Sequence, residues 1–438
     1  MPAKGVHLEE NFEANQKENL GEKLSAPAFV LVWFAASISL AEILTGTFFA
    51  PLGLVRGIQA IVIGHVIGGV LFGLAAYIGA ATQKSAMETV KISFGKYGSF
   101  IFSIANIAQL IGWTAIMIFS GATAATYLVP LMGNLGWCLV ITGLIVLWIT
   151  LGIKNMSRIQ SLAALLLFAL TLLVSFVVFG DPGSAGAGLA GGAELAGGTG
   201  TTGATSATGA TSGAEALSFG AAVELAVAMP LSWLPVVSDY TRRARRAVSA
   251  TTGATLGYFF GSCWMFIIGL GAALFADSSD ISVIMAGAGL GVVGILIVVF
   301  STVTTTFLDA SSAGISATSI SKRLNAKYLG IGAAVLGGLL AFVAPVARFE
   351  GFLYLIGSFF APMIAILVVD FFILKNDAST RSVNVANLLL WVGGFVLYRF
   401  SMSWDFVLGN TLPVMVIVGL ASVVVHLAMR RLGKENLR

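Results

Sequence analysis

The sequence has 438 residues, of which 57% are hydrophobic and only 10% are charged, and its formal net charge is +4. A water-soluble protein of this size needs many more charged side chains to cover its surface. The composition therefore excludes that class and favours a chain surrounded mainly by lipid. The two cysteines, Cys138 and Cys263, lie in apolar segments and indicate neither a disulfide framework nor a metal site.

Twelve apolar segments follow one another along the chain, each about as long as the roughly 20 residues that a helix needs to cross a bilayer. They cover residues 27–53, 57–82, 97–128, 134–152, 159–180, 217–238, 251–275, 281–312, 328–346, 350–373, 386–403 and 407–429. If the N-terminus is cytoplasmic, all but three of the 24 Lys and Arg fall on the cytoplasmic side, as the positive-inside rule predicts. We therefore expect a multi-pass protein of the inner (plasma) membrane with both termini cytoplasmic. Its basic loops would face anionic lipid rather than nucleic acid.

The predicted helices fall into sets of five, five and two, because a Gly-, Ala- and Thr-rich stretch that cannot bury a core follows the fifth. An odd number of helices in the first set makes the second set enter the membrane from the opposite side, as in transporters built from inverted repeats. This predicts an all-α membrane protein with 12 transmembrane helices, a 5+5 inverted repeat plus two C-terminal helices. The predicted divisions are a cytoplasmic tail (1–25), the first repeat (26–180), an external loop (181–216), the second repeat (217–373), and the last two helices with a cytoplasmic tail (374–438).

The first and the sixth segment each contain residues that interrupt helices. The first carries Gly46, Pro51 and Gly53, and the sixth carries Pro230 and Pro235. Paired interruptions in corresponding positions of two repeats point to a substrate site near the middle of the membrane. The alternative is that Pro and Gly are simply common in membrane helices.

Ionisable side chains inside the apolar segments are costly in a bilayer and need a reason. Glu42 lies in the middle of the first segment and Asp309 toward the inner part of the eighth. Glu224 and His65 also fall inside segments, and the sequence does not indicate their roles. Asp239 and Asp370 lie near predicted cytoplasmic ends, where interfacial water or a nearby Arg would accommodate them.

The third segment carries a polar stripe of Ser103, Asn106, Gln109, Trp113 and Ser120, whose spacing puts them on one face of a helix. Gln109 offers a hydrogen-bond donor and an acceptor together, and Trp113 offers a flat ring one turn away. A planar ligand with hydrogen-bonding edges requires both features. The alternative is hydrogen bonding between helices.

The eighth segment ends in a stretch, 301–312, with seven hydroxyl side chains and one acid. Hydroxyl and carbonyl oxygens suit a small hard cation such as Na⁺, and a break in the first helix would free carbonyls to complete its shell. The alternative is that these threonines bond the backbone of their own helix.

Other motifs indicate packing rather than chemistry. The stretch 289–294 matches a dinucleotide-binding pattern but lacks a βαβ unit, and Gly64 and Gly68 have the spacing of close helix packing. The sequence contains no nucleophile–base set or metal-type cluster, and no charge ring or carbonyl filter that would mark a channel. We therefore expect neither an enzyme nor a cofactor, apart from Na⁺ or H⁺ as the coupling ion.

The segment Gln109–Trp113 resembles the nucleobase–cation symporters of the first class, the cytosine and hydantoin permeases. Ser232 and Trp233, followed by the Ser-Asp-Tyr-Thr-Arg motif 238–242, resemble the same family, as does the Thr-rich eighth helix. The resemblance covers essentially the whole chain. The segment Ala41–Gly46 looks most like the branch of hydroxymethylpyrimidine (thiamine-precursor) permeases.

The resemblance implies a leucine-transporter-like fold and Na⁺-coupled uptake of a heterocyclic base. The base would lie between Trp113 and Trp233, and Gln109 would read its edge. The substrate-binding set expected on these grounds is Glu42, Asn106, Gln109, Trp113, Ser232, Trp233 and Asp309. The expected sodium ligands are Thr304, Thr305 and Thr306, with main-chain carbonyls near Ser37 and Leu40.

The sequence departs from the family pattern at two acids. Cytosine and hydantoin permeases carry an asparagine near the position of Asp309, and their first helix lacks an acid corresponding to Glu42. A carboxylate pairs with an aminopyrimidine whose ring nitrogen is protonated. Hydroxymethylpyrimidine is therefore the leading candidate, with cytosine, a purine, a hydantoin or an amino acid as alternatives. The expected partners are this small heterocycle and the lipid bilayer, with no nucleic acid, and a monomer is compatible with this arrangement.

Overall fold

The computed structural model describes residues 23–151, 217–275, 291–343 and 349–431, together with individual positions between 165 and 180. The predicted external loop, 181–216, and most of both predicted tails lie outside the described residues. Residues 289 and 290 also lie outside them, so the interpretation of the stretch 289–294 stays a prediction.

Helices make up nearly all of the described chain, and we number them in order. The first seven are α1 (Ala26–Ser37), α2 (Leu40–Thr47), α3 (Gly53–Thr82), α4 (Ala86–Phe94), α5 (Phe100–Leu128), α6 (Gly133–Leu151) and α7 (Phe219–Ser232). The next seven are α8 (Leu234–Thr241), α9 (Ala247–Phe275), α10 (Gly291–Ile320), α11 (Ala326–Val343), α12 (Phe349–Val368), α13 (Val385–Ser401) and α14 (Thr411–Arg431). A π-helical turn, Val369–Leu374, continues α12.

The first crossing is broken between α1 and α2, where Ile38 and Ser39 have extended backbones. Two serines favour the break. The Ser37 hydroxyl donates to the Phe34 carbonyl at 2.7 Å near the end of α1. The Ser39 hydroxyl accepts from the Glu42 backbone N–H at 3.3 Å and caps the start of α2. The interruption predicted in this segment therefore comes from serine side chains that satisfy helix ends.

The helix of the sixth crossing is interrupted at the single residue Trp233, between α7 and α8, and Trp233 itself keeps helical backbone angles. Pro230 lies inside α7 and Pro235 in the first turn of α8. Because proline has no N–H and clashes with the preceding turn, two prolines five residues apart weaken the helix between them. Both segments are therefore interrupted as predicted, but the break in the first lies at Ile38 and Ser39 rather than at its Gly and Pro residues.

The helices form two closely packed groups. The first, which we call the bundle, contains α1, α2, α3, α7, α8 and α9, and the second, which we call the scaffold, contains α5, α6, α10 and α11. Packing between the groups is sparse and runs mainly through α1, α2 and α8 against α5 and α10. The helices α12, α13 and α14 pack on one another, and α12 also contacts α7. The site described below lies between bundle and scaffold.

Small residues bring the bundle helices close together. A Cβ added at Gly64 would collide with Ala226 of α7, and one added at Gly68 would collide with the Pro230 ring. The prediction that the Gly64–Gly68 spacing serves helix packing is therefore confirmed.

Within the described ranges, seven helices are long and apolar enough to cross a membrane, and three shorter apolar helices accompany them. Large apolar side chains are exposed on the outward faces, among them Val70, Ile104, Leu139, Phe260 and Leu389. Exposed apolar surface on this scale indicates a lipid environment. The chain is thus a multi-pass helical membrane protein, and the count of 12 crossings stays a prediction.

The prediction that interfacial water accommodates Asp239 and Asp370 is wrong, because both side chains are buried. Asp370 is fully buried. Its carboxylate accepts from the Asn387 amide at 2.8 Å and the Asn376 amide at 3.3 Å, and His426 lies 3.8 Å away. The apolar run ends near Asp370 in the sequence, but the π-helical turn carries the chain onward under α13 and α14. Tertiary packing therefore buries Asp370, although the end of the apolar segment suggested a position at the membrane interface.

Candidate substrate and cation site

A small cavity lies where the two helix breaks face the scaffold. The break between α1 and α2, the interruption at Trp233, α5 and α10 form its walls. Its polar and aromatic lining consists mainly of Glu42, Trp113, Ser232, Trp233, Thr305 and Asp309. Five of the seven expected substrate residues thus line one cavity, whereas Asn106 and Gln109 do not line it.

The two expected tryptophans approach the cavity from opposite groups. Trp113 of the scaffold packs edge-on against Phe352 of α12, with ring centroids 5.5 Å apart. Trp233 of the bundle packs edge-on against Trp33 at 5.4 Å. Both indoles are more than nine-tenths buried, so each ring is held by neighbouring aromatics while it faces the cavity.

Glu42 is held in a fixed orientation by α9 of the bundle. The Tyr258 hydroxyl donates to one carboxylate oxygen and the Ser262 hydroxyl to the other, each at 2.7 Å. His65 extends this network, with its Nε2 2.6 Å from the Ser262 oxygen and its Nδ1 donating to the Ile61 carbonyl at 2.8 Å. Glu42 is therefore a positioned acceptor, and His65 is linked to it through Ser262.

Asp309 is buried in the opposite wall and differs from Glu42 in its partners. No residue of the described chain donates a hydrogen bond to its carboxylate. A buried acid without a donor is costly, and such groups commonly mark functional sites in membrane proteins. Of the two carboxylates in the cavity, Asp309 is the one with both oxygens available.

The polar stripe of α5 serves mainly to hold helices together. The Asn106 amide donates to the Pro235 carbonyl at 2.9 Å and to the Ser316 hydroxyl at 2.8 Å. The Gln109 amide donates to the Asn106 oxygen at 2.7 Å and approaches the Ser232 carbonyl at 3.4 Å. The Gln109 side-chain oxygen is buried without a partner. Interhelical bonding thus accounts for Asn106, and Gln109 keeps one free acceptor.

The hydroxyl groups of α10 divide into bonded and unbonded oxygens. Ser301 donates to the Ile38 carbonyl in the α1–α2 break at 2.6 Å, which joins the two elements expected to share a cation. Thr304 donates to its own helix, to the Phe300 carbonyl at 2.8 Å and the Ser301 carbonyl at 3.0 Å. The hydroxyls of Thr305 and Thr306 are buried without partners. Hard oxygen atoms that lack partners beside a helix break fit the requirements of Na⁺.

No basic side chain of the described residues lines the cavity, whereas two carboxyl groups do. The Ser232 hydroxyl adds lone pairs, because its proton is donated to the Met229 carbonyl at 2.7 Å. The wall therefore presents mainly hydrogen-bond acceptors. A complementary ligand brings N–H donors or a positive charge on a flat ring.

Comparison with known sequences assigns the family. The family described as a permease for cytosine/purines, uracil, thiamine and allantoin matches residues 20–432. The chain belongs to this family. It is accordingly a transporter rather than an enzyme, and the resemblance stated above is confirmed at the level of the family. No curated protein matches the sequence of this permease.

Solved structures share the fold of this permease at low sequence identity. Mhp1, a nucleobase-cation-symport-1 family transporter in a closed conformation with bromovinylhydantoin bound, aligns with a TM-score of 0.72 and 17% identity over 94% of this chain and 92% of that chain. An inward-facing conformation of Mhp1 aligns with a TM-score of 0.70 and 18% identity over 95% and 92%. A Na⁺-coupled sialic acid symporter in a substrate-bound outward-open state aligns with a TM-score of 0.66 and 14% identity over 94% and 90%. These similarities establish the leucine-transporter-like fold.

Sequence reasoning missed the α9 residues that hold Glu42 in the permease. Tyr258 and Ser262 are four residues apart, so they share one face of α9. That spacing is visible in the sequence, but it does not show which buried group the two hydroxyls meet. The partner lies 216 residues away from Tyr258 and is brought there only by the packing of α2 on α9.

Proposed function

We propose that this permease imports a small aminopyrimidine together with a cation, with hydroxymethylpyrimidine, the thiamine precursor, as the leading candidate. Import occurs by alternating access in the inner (plasma) membrane, with both termini cytoplasmic. The observation that carries the proposal is a buried carboxylate without a donor, Asp309, in the same cavity as two indole rings, Trp113 and Trp233.

The aromatic lining of the cavity supports a flat ring as the ligand. Indoles from opposite groups of helices offer stacking or edge contacts to such a ring.

The acceptor-rich wall supports an amine-bearing edge. In an aminopyrimidine the exocyclic amine lies beside a ring nitrogen, and protonation of that nitrogen gives two parallel N–H donors. A carboxylate accepts both in charge-assisted bonds. We assign this role to Asp309, whose oxygens are both available. Glu42, already bonded to Tyr258 and Ser262, contributes the lone pairs that remain to it.

Gln109 is a second, uncharged group proposed to recognise the edge of the substrate. Its amide is directed by Asn106, and its unpartnered oxygen is an acceptor for a further N–H or O–H of the ligand. We assign Asn106 the role of a positioning residue. Gln109 does not line the cavity in this structure, and we propose that its free oxygen meets the substrate when the substrate is bound. Ser232 contributes hydroxyl lone pairs from the bundle side.

Sodium is the favoured coupling ion because of the oxygen atoms beside the helix break. The free hydroxyls of Thr305 and Thr306, with main-chain carbonyls near Ser37 and Leu40, form a hard-ligand set. Thr304 retains lone pairs although its proton is donated to its own helix. Thr305 lines the substrate cavity as well, so the cation and the substrate share one wall. This common wall makes the binding of each favour the other.

Alternating access follows from the division of the site between two groups of helices. Glu42 and Trp233 belong to the bundle, whereas Trp113, Thr305 and Asp309 belong to the scaffold. A ligand held by both groups draws them together, and its loss frees them to rock apart on either side of the membrane.

Cytosine is the second candidate, because it also presents an exocyclic amine beside a ring nitrogen. Its ring carbonyl, however, adds an acceptor that would face an acceptor-rich wall. The same observation that favours the amine edge therefore ranks hydroxymethylpyrimidine above cytosine.

A competition panel tests the proposal. Purified protein in lipid nanodiscs would be titrated with hydroxymethylpyrimidine, cytosine, uracil, a hydantoin and an amino acid, and melting would be followed with and without Na⁺. We expect hydroxymethylpyrimidine to raise the melting temperature most, and more in Na⁺ than in choline at equal ionic strength. Uptake into proteoliposomes would check that binding leads to transport.

Two outcomes would contradict this assignment. If uracil or an amino acid raised the melting temperature more than hydroxymethylpyrimidine does, an aminopyrimidine would not be the substrate. If the increase were equal in Na⁺ and in choline, Na⁺ would not be the coupling ion. If binding responded only to pH, H⁺ would take the place of Na⁺.

A further inference from the structure

The Ser-Asp-Tyr-Thr-Arg motif at the end of α8 is not used by the proposed binding site. Two of its hydroxyls fasten α8 to α3 within the bundle. Ser238 donates to the Ala75 carbonyl at 2.9 Å, and Thr241 donates to the Ala76 carbonyl at 2.8 Å. These bonds hold α8 to its own group of helices, so a rocking motion would leave them intact.

Tyr240 is the motif residue that crosses from the bundle to the scaffold. Its hydroxyl donates to the Leu308 carbonyl of α10 at 3.1 Å and accepts from the Ser312 hydroxyl at 3.4 Å. Asp239, by contrast, accepts from the Ala86 N–H at 2.8 Å and caps the start of α4. The Tyr240 hydroxyl is buried, so its two bonds do not compete with bulk water.

The position of Tyr240 relates these bonds to the cavity. Its ring packs edge-on against Trp33 at 5.7 Å, and Trp33 packs against the cavity residue Trp233 at 5.4 Å. The carbonyl that Tyr240 contacts belongs to Leu308, the residue directly before Asp309. The three rings thus run from the cavity toward the basic loop after α8, and the last ring is tied to the scaffold.

We propose that the Tyr240 hydroxyl is a latch that holds the cytoplasmic side of the site closed, which makes Tyr240 a positioning residue for transport. This inference rests on the proposed function for its direction, because α8 ends on the side assigned to the cytoplasm. When the bundle rocks away from the scaffold on that side, the bonds to Leu308 and Ser312 break while Ser238 and Thr241 stay bonded to α3.

The test compares two variants that each remove one buried hydroxyl from the same helix. Y240F removes the latch and keeps the ring, and the matched control S238A removes a bond within the bundle. A reporter cysteine, S316C, lies one turn beyond Ser312 on α10 and is buried in the closed structure. In a chain whose native cysteines are replaced by alanine, its labelling by a membrane-impermeant maleimide is timed from the face that carries the basic loops.

We expect Y240F to speed this labelling roughly two- to tenfold. Both bonds of the Tyr240 hydroxyl are long, so their combined loss shifts a two-state equilibrium about as much as the loss of one ordinary hydrogen bond. S238A should lower the melting temperature about as much as Y240F does, but it should not speed the labelling. Equal labelling rates in the two variants would overturn the latch. If Y240F does not fold, S312A must show a smaller increase, and no increase would overturn the proposal as well.

Labelling requires no substrate, so the latch and the proposed function can fail separately. If Y240F is labelled faster than S238A but no pyrimidine binds, the latch is supported and the proposed substrate is wrong. Binding of hydroxymethylpyrimidine with no labelling difference would do the reverse.

Discussion

The two carboxylates of the cavity allow a sharp prediction, because they differ in their partners and not in their burial. Glu42 and Asp309 are 2% and 3% exposed. Glu42 accepts from Tyr258 and Ser262, and Asp309 accepts from none of the described residues. Replacing each acid by its amide therefore separates the effect on binding from the effect on folding.

In D309N one carboxylate oxygen becomes an NH₂ group that faces the N–H donors of the proposed substrate. One charge-assisted hydrogen bond is lost and a donor–donor contact replaces it, which together cost about 2–4 kcal/mol. At about 1.4 kcal/mol per factor of ten, the Kd for hydroxymethylpyrimidine should rise roughly 30- to 1,000-fold. Isothermal titration calorimetry on protein in nanodiscs measures this range directly.

Stability should change in the opposite sense for the two variants. D309N removes a buried acid that has no donor, so its melting temperature should equal or exceed that of the wild type. E42Q places an NH₂ group against the Tyr258 or the Ser262 hydroxyl and loses an accepted bond, which costs about 1–3 kcal/mol of folding stability. If D309N bound the ligand within threefold of the wild type, or lost as much stability as E42Q, the assignment of Asp309 to the substrate would be wrong.

Two further predictions concern α10 and α7. T305V removes one proposed cation oxygen, so half-maximal uptake should need at least about tenfold more Na⁺. The control T302V removes a hydroxyl that is also buried and unbonded but does not line the cavity, so the Na⁺ dependence should stay unchanged. An equal effect of both variants would count against the site. E224Q loses an acceptor that is bonded to Tyr398 and Thr411, so the free energy of unfolding should fall by about 1–3 kcal/mol while the substrate Kd stays constant. Thermal melting and calorimetry would check these two results, and a higher Kd would connect Glu224 to the site.

Local chemistry made the helix breaks predictable from the sequence. Pro230 and Pro235 lack backbone donors, so the interruption at Trp233 could be expected without any tertiary information. The break at Ile38 was expected in the right segment, but its position depends on the caps supplied by Ser37 and Ser39. Caps compete with helix continuation by small energies, so a sequence locates them only within a few residues.

Long-range partners were not predictable in the same way. The polar stripe of α5 was visible, but the sequence does not show that Asn106 meets a proline carbonyl of α8 whereas Gln109 keeps a free oxygen. The difference in partners between Glu42 and Asp309 likewise depends on which helices pack against them. Both acids look alike as isolated charges in apolar segments, and only the packing of α9 on α2 distinguishes them.

Uracil provides the strictest test of the acceptor-rich wall. It is one of the compounds named in the description of the family, yet its edge differs from that of an aminopyrimidine. Uracil has ring carbonyls where an aminopyrimidine has its amine, and these would face the carboxylates and the free Gln109 oxygen. An acceptor set against an acceptor loses a hydrogen bond and leaves buried groups unpaired, at about 1–3 kcal/mol for each mismatch. Uracil should therefore compete with hydroxymethylpyrimidine roughly ten- to a hundredfold more weakly than cytosine does, in a binding assay at fixed Na⁺. D309N should narrow this gap, since its amide can donate to a carbonyl. Equal competition by uracil and cytosine in the wild type, with no change in D309N, would show that the carboxylate does not face the heterocycle.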